Sequence, residues 1–199
     1  MNLHRMLLER AANGNPLRIG LIGAGKFGAM YLSQIPTTPG IHLVGIADLS
    51  PPRARENLAR LGWKPDVTAA GSFAEAKKHG NTFLTDDWRA LVSHPEIDVV
   101  VESTGDPIAA VEHALEAFRN GKSVVMVTVE ADAFCGPLLA RRAAEAKMKG
   151  FEGDSCGACG NFCSGQNIGN PTCAGGFCNG ACDAGGGVRP ISSCVETWR

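Results

Sequence analysis

The chain has 199 residues, enough for one domain and an appendage. Its 19 lysines and arginines balance 20 aspartates and glutamates, which argues against a nucleic-acid or other polyanionic partner. Hydrophobic residues make up 44% of the chain, so a sizeable core can be buried. No apolar run is long enough to predict a transmembrane helix, so no membrane partner is expected. The charged N-terminal segment does not resemble a secretory signal, and we expect a cytoplasmic protein.

The distribution of cysteine marks a boundary near residues 147–150. Only Cys135 lies in the first three quarters of the chain, and the other seven cysteines follow residue 155. Glycine becomes more frequent in the same region. We therefore predict an N-terminal helical arm, an α/β domain and a Gly/Cys-rich irregular C-terminal tail, over residues 1–16, 17–147 and 148–199.

Predicted strands and helices alternate along the chain after a short helix at residues 2–12. Apolar runs predict five strands, at residues 17–22, 41–47, 82–84, 97–101 and 123–129. Periodicity and capping residues predict helices ending at residue 34, spanning 51–61 and 72–78, running from Asp86 to about 94, spanning 109–119, and running from Gly136 to 147. This alternation predicts a parallel sheet with right-handed crossovers.

A glycine-rich turn follows the first predicted strand and opens a helix; it reads Gly23-Ala24-Gly25-Lys26-Phe27-Gly28. Gly23 permits a tight turn, Gly25 lets the backbone approach a diphosphate, and Gly28 allows the helix to pack closely on the strand. Unpaired N–H groups and the positive end of the helix dipole then favour the diphosphate. An ordinary glycine turn is the alternative. The context favours a Rossmann-type doubly wound sheet that binds NAD or NADP across all six residues.

The end of the second strand bears on the choice between NAD and NADP. Asp48 stands at the spacing from Gly28 that is typical of an acid bound to the adenosine ribose, which favours NAD. Ser50, Arg53 and Arg55 follow at once, and an arginine such as Arg53 could bind the 2′-phosphate of NADP. Solvated arginines in a first helical turn are the alternative, so the choice of cofactor stays open.

Two further strand ends are expected at the same edge of the sheet. Ser103, Thr104 and Gly105 follow the fourth strand, and we predict that they border the nicotinamide side of the cofactor. A simple loop with a capping threonine is the alternative. Glu130, after the fifth strand, could line a substrate site or cap the next segment.

Several of these stretches together resemble the homoserine-dehydrogenase-like oxidoreductases, in the branch that includes 1-deoxy-D-xylulose 5-phosphate reductoisomerase-like enzymes. The resemblance covers roughly residues 1–146, and it rests on residues 17–28, Asp48, residues 102–105 and residues 121–132 with the following Gly136-Pro137-Leu138-Leu139. It implies an NAD- or NADP-dependent oxidoreductase whose second domain supplies the substrate site. The reaction of that branch would convert 1-deoxy-D-xylulose 5-phosphate to 2-C-methyl-D-erythritol 4-phosphate, a step of isoprenoid biosynthesis.

The chain departs from this family in two places. Homoserine dehydrogenases carry Asn-Lys where this chain has Glu130-Ala131, so homoserine is not the expected substrate. The resemblance also stops near Ala146, and nothing in residues 147–199 corresponds to a catalytic domain. We therefore expect an oxidoreductase that lacks this domain. The alternative is a non-catalytic dinucleotide-binding fragment, or a fusion with a metal-binding or redox tail; the substrate and any homo-oligomer stay open.

Residues 144–162, which include the start of the tail, resemble the C-terminal tail of the adenosylcobalamin-dependent (class II) ribonucleotide reductases. Cys156-x-x-Cys159 can chelate one metal ion, and Cys178 and Cys182 could complete a zinc site. Cys163 and Cys173 compete for that role. A low-pKa redox dithiol and a tail without defined function are the alternatives.

Cys135 stands alone in the α/β region, just before the predicted start of the last helix. A helix N-terminus lowers the pKa of a thiol, so one hypothesis is a reactive cysteine. A small buried hydrophobic residue is the more frequent use of a lone cysteine, and we favour it.

Overall fold

A five-stranded parallel sheet forms the centre of the protein. The computed structural model describes residues 2–146 and the backbone of residues 172–174 and 177–179. The strands are β1 Leu17–Ile22, β2 Ile41–Ala47, β3 Phe83–Thr85, β4 Val99–Glu102 and β5 Ser123–Met126. Their spatial order is β3-β2-β1-β4-β5, so the topological switch point lies between β1 and β4. This order and the flanking helices confirm the predicted Rossmann-type α/β fold.

Seven α-helices are described around this sheet: α1 Leu3–Ala12, α2 Lys26–Gln34, α3 Pro51–Arg60, α4 Phe73–His79, α5 Trp88–Ser93, α6 Pro107–Arg119 and α7 Val129–Glu145. None of the helices in the described residues is long and apolar enough to cross a membrane. A separate antiparallel pair consists of β6 Thr172–Ala174 and β7 Phe177–Asn179, in which Cys173 stands opposite Cys178.

The sheet is covered on both faces because its strands are apolar on both sides. Leu21 of β1 belongs to the cluster that contains residues of α2 and α3. The next residue, Ile22, belongs to the cluster with residues of α4, α5 and α6. Neighbouring strand residues point to opposite faces, so continuous apolar runs are needed here. Burial of each such side chain contributes roughly 1.5–3 kcal/mol.

The last helix begins earlier than the sequence predicted. Strand β5 ends at Met126 rather than at residue 129, and α7 begins at Val129, so Pro137 lies inside the helix instead of opening it. Glu130 and Asp132 stand in the first turn, where the helix dipole favours acidic groups. Burial of residues such as Leu139 against α6 further stabilises α7 despite the proline.

Smaller differences occur at other predicted boundaries. Asp87, not Asp86, caps α5, because its carboxylate accepts a hydrogen bond from the N–H of Ala90 at 3.0 Å. Strands β3 and β4 lie one or two residues later than predicted. Cys135 is half-buried in the interior of α7, so the helix N-terminus that would have activated its thiol is not there. Its packing against α6 residues favours the alternative use as a small hydrophobic side chain.

Candidate dinucleotide-binding site

The glycine turn leaves the carboxyl end of β1 between two neighbouring strands. Gly23 has φ +91°, and its N–H donates to the carbonyl of Ala47 at 2.8 Å. A Cβ at Gly23 would lie 2.9 Å from the backbone of Ser103. Only glycine therefore combines this left-handed conformation with so close a contact to the loop that follows β4.

The other two glycines of the motif differ in what surrounds them. A Cβ on Gly28 would lie 2.3 Å from the carbonyl oxygen of Gly23, so Gly28 is required for α2 to pack on the turn. A Cβ on Gly25 would meet no atom within 4 Å. Gly25 is also the N-terminal cap of α2, and no side chain caps the free N–H groups of that helix. The bare backbone there leaves room for an anionic group beside unpaired donors.

The remaining residues of the turn contribute less to its shape. Ala24 is buried against the core, while Lys26 and Phe27 are exposed at the start of α2. Lys26 is the first residue of α2 and directly follows Gly25. This adds positive charge at the end of α2 where the helix dipole already favours an anion.

Asp48 links the end of β2 to the glycine turn. Its Oδ2 accepts from the N–H of Ala24 at 2.9 Å, and its Oδ1 accepts from the N–H of Ser50 at 2.9 Å. The side chain is only 8% exposed. A carboxylate oxygen can accept more than one hydrogen bond, so Asp48 can brace the turn and still offer acceptor capacity to a ribose.

The two candidate arginines for a 2′-phosphate have different surroundings. Arg55 donates to the carbonyl of Thr68 at 2.7 Å and to the Thr68 hydroxyl at 3.1 Å. These bonds fix the Arg55 side chain within the protein. Arg53 is 66% exposed, and its Nη2 lies 3.7 Å from Oδ1 of Asp48. Arg53 is thus the arginine that can turn toward a ligand at the end of β2.

The loop after β4 lies against the glycine turn, as the sequence predicted for this edge of the sheet. The hydroxyl of Ser103 donates to the carbonyl of Gly23 at 2.8 Å. Thr104 and Gly105 are exposed. Parallel strands β2, β1 and β4 are neighbours, so their carboxyl ends bring Asp48, the glycine turn and this loop to one edge.

A buried carboxylate that sequence reasoning did not single out lies behind this loop. Glu102 is the last residue of β4 and is fully buried. Its partners are the hydroxyls of Thr104 and Thr128 and the ring of His113. Burial opposes its ionisation, but these hydrogen bonds outweigh burial and hold the pKa of Glu102 below its ordinary value. The only signal in the sequence was an acid closing an otherwise apolar strand.

The predicted zinc ligands fall almost entirely outside the described residues. Cys156, Cys159 and Cys182 lie there, as does the competing Cys163. Cys178 lies in β7, of which only the backbone is described. Within the part of the chain that the structure describes, no group of three or more His, Cys, Asp or Glu side chains could hold a metal ion.

Sequence comparisons relate this part of the chain to a family of NAD-binding domains. A model of the family "Homoserine dehydrogenase, NAD binding domain" matches residues 20–150. Homoserine dehydrogenase of Methylobacillus glycogenes is 31% identical over 115 residues, which is 55% of this chain and 24% of that relative. The chain thus spans about a quarter of the curated relative that it matches.

Among solved structures similar to this chain are two enzymes. A homoserine dehydrogenase from Thiobacillus denitrificans is 23% identical with a TM-score of 0.48, over 66% of this chain and 28% of that chain. A biliverdin reductase from Synechocystis, solved with biliverdin and NADP+, is 24% identical with a TM-score of 0.44, over 66% of this chain and 36% of that chain. The family model matches more than half of the chain, and the chain therefore belongs to the homoserine dehydrogenase NAD-binding domain family.

Proposed function

We propose that residues 17–147 hold NAD or NADP as the coenzyme-binding part of an oxidoreductase. The observation that carries this proposal is the open space at Gly25, where a Cβ would meet nothing although it caps a helix whose first N–H groups are free. The free N–H groups and the positive end of the α2 dipole favour an anionic diphosphate in that space. When bound, the cofactor supplies or accepts a hydride.

The parts of the site suggest how the cofactor lies along the sheet edge. The diphosphate binds at the glycine turn and the start of α2. The adenosine ribose lies toward Asp48 and Arg53, and the nicotinamide lies toward residues 103–105. The positions of β2 and β4 on either side of β1 support this proposed orientation.

The substrate that we propose is 1-deoxy-D-xylulose 5-phosphate, on the resemblance of residues 121–132 to reductoisomerase-like enzymes. Glu130-Ala131 at the start of α7 lacks the lysine that homoserine dehydrogenases carry there, which disfavours homoserine. The purified chain should oxidise NADPH when 1-deoxy-D-xylulose 5-phosphate is added, and it should not reduce NADP+ when homoserine is added. Turnover with homoserine and NADP+ instead would refute the substrate assignment.

Cofactor binding is tested separately from turnover. Titration of the full chain with NADH and with NADPH, followed by cofactor fluorescence, should give saturable binding at micromolar concentrations. Saturable binding without turnover on either substrate would favour the alternative, a non-catalytic dinucleotide-binding protein. No saturable signal with either cofactor would refute the coenzyme-binding role itself.

Zinc binding by the tail is a second proposal, and it rests on the Cys156-x-x-Cys159 spacing alone. About one zinc ion per chain by elemental analysis is the expected result. Its loss in a double Cys156→Ser, Cys159→Ser variant would identify the ligands. Metal-free protein with freely titratable tail thiols would refute it.

A further inference from the structure

We propose that Glu102 is a positioning residue that ties the loop after β4 to the loop after β5 and thereby shapes the nicotinamide side of the site. The inference rests on the proposed dinucleotide-binding function. It concerns a side chain that is fully buried and therefore acts through the loops rather than on the cofactor directly.

Glu102 is engaged on both of its carboxylate oxygens. Oε1 accepts from the hydroxyl of Thr104 at 2.6 Å and from its N–H at 3.2 Å, and the Nδ1 of His113 lies 3.2 Å away. Oε2 accepts from the hydroxyl of Thr128 at 2.5 Å. Hydrogen bonds to an ionised acceptor are the strong ones, so this carboxylate holds its partners more firmly than a neutral group would.

Thr128 passes the connection on to the loop after β4. Its hydroxyl donates to Glu102 and accepts from the N–H of Gly105 at 3.1 Å. Thr128 is 3% exposed, so water does not substitute for either bond. Gly105 and Thr128 are distant in sequence, and the parallel pairing of β4 with β5 brings them together.

The same loop touches the glycine turn on its other side. Ser103 donates to the carbonyl of Gly23, and its backbone lies 2.9 Å from where a Cβ of Gly23 would be. Glu102 thus contacts this loop on one side, and on the other side the loop contacts the glycine turn, where we propose that the diphosphate binds. Trp88 packs edge-on to His113, with ring centroids 4.5 Å apart.

The chain offers a matched pair of variants to test this role. Thr128→Val keeps the shape of the side chain but removes the hydroxyl, whereas Thr128→Ser keeps the hydroxyl. In the full chain we expect Thr128→Val to raise the Kd for NADH about tenfold, while its Kd for ADP-ribose, which lacks nicotinamide, changes less than twofold. Thr128→Ser should bind both ligands like the wild type.

A purely structural role would show a different pattern. Equal weakening of NADH and ADP-ribose in Thr128→Val, or unchanged binding of both, would overturn the positioning role while leaving the coenzyme-binding function standing. Thermal denaturation of each variant shows whether it is folded at the temperature of the titration. If Thr128→Val is unfolded there, Glu102→Gln serves as the second variant, with the same two ligands and the same expected selective loss. If the wild type binds neither NADH nor NADPH, both proposals are overturned.

Discussion

Replacing Gly25 by aspartate should weaken cofactor binding without lowering the stability of the fold. Gly25 caps α2 with φ −73° and no side-chain hydrogen bond, and a Cβ there meets no atom within 4 Å. Aspartate is among the preferred N-terminal caps, so its carboxylate can accept from the free N–H groups of the first turn. We expect the free energy of unfolding to stay unchanged or to rise by up to about 1 kcal/mol.

The same carboxylate occupies the space proposed for the diphosphate and repels it. Two unit charges about 5 Å apart repel by roughly 1–3 kcal/mol, for effective dielectric constants between those of water and of a protein surface. Loss of the N–H donors to the new side chain adds to this cost. We therefore expect the Kd for NAD(H) to rise about 100-fold, which corresponds to about 2.7 kcal/mol.

The assay pairs urea denaturation with fluorescence titration of NADH on the wild type and on Gly25→Asp. The stability measurement acts as the control, because a loss of binding in an unfolded variant would be uninformative. Equal affinity in a folded Gly25→Asp variant would refute the placement of the diphosphate at this turn.

Three further predictions concern the surroundings of this turn. Arg53→Ala should weaken NADPH binding about tenfold with little effect on NADH binding, and equal effects on both cofactors would contradict a 2′-phosphate contact. Arg55→Ala should mainly lower stability, because the Arg55 side chain donates to the protein's own backbone. Gly28→Ala should lower the free energy of unfolding by about 2 kcal/mol or more, because the new Cβ would lie 2.3 Å from a backbone oxygen. A urea midpoint equal to that of the wild type would contradict this packing. Glu102 has a pKa below its ordinary value in the folded protein, so its contribution is present above pH 4.5 and is lost as the pH falls through the lower folded-state value. In urea denaturation, Glu102→Gln should therefore lose less stability than the wild type as the pH falls below 4.5, and equal losses would refute this.

Local sequence was sufficient for the first half of the sheet. Strands β1 and β2 have the predicted bounds, because each is a continuous apolar run that ends at residues with their own conformational demands. The glycine turn was recognisable for the same reason. Gly23 needs a left-handed backbone, and Gly28 cannot carry a side chain against the turn.

The start of α7 shows where local signals are misleading. Gly136-Pro137 is typical of a helix start, and β-branched residues before it are typical of a strand. Packing of α7 on α6 and acidic residues in the first turn outweigh both preferences. Tertiary contacts routinely override a preference of this size, and the sequence does not show which helix will supply them.

The sequence by itself determined the alternation of strands and helices, the glycine turn and the acid at the end of β2, since each depends on residues close together in the chain. Only the tertiary structure decided that Arg55 donates to Thr68 while Arg53 stays exposed. It also decided that Glu102 is hydrogen-bonded to Thr104, His113 and Thr128. Such partners are chosen by which strands are neighbours and by their register. Those choices follow from burying both faces of the sheet at once, and no local pattern of residues carries that information.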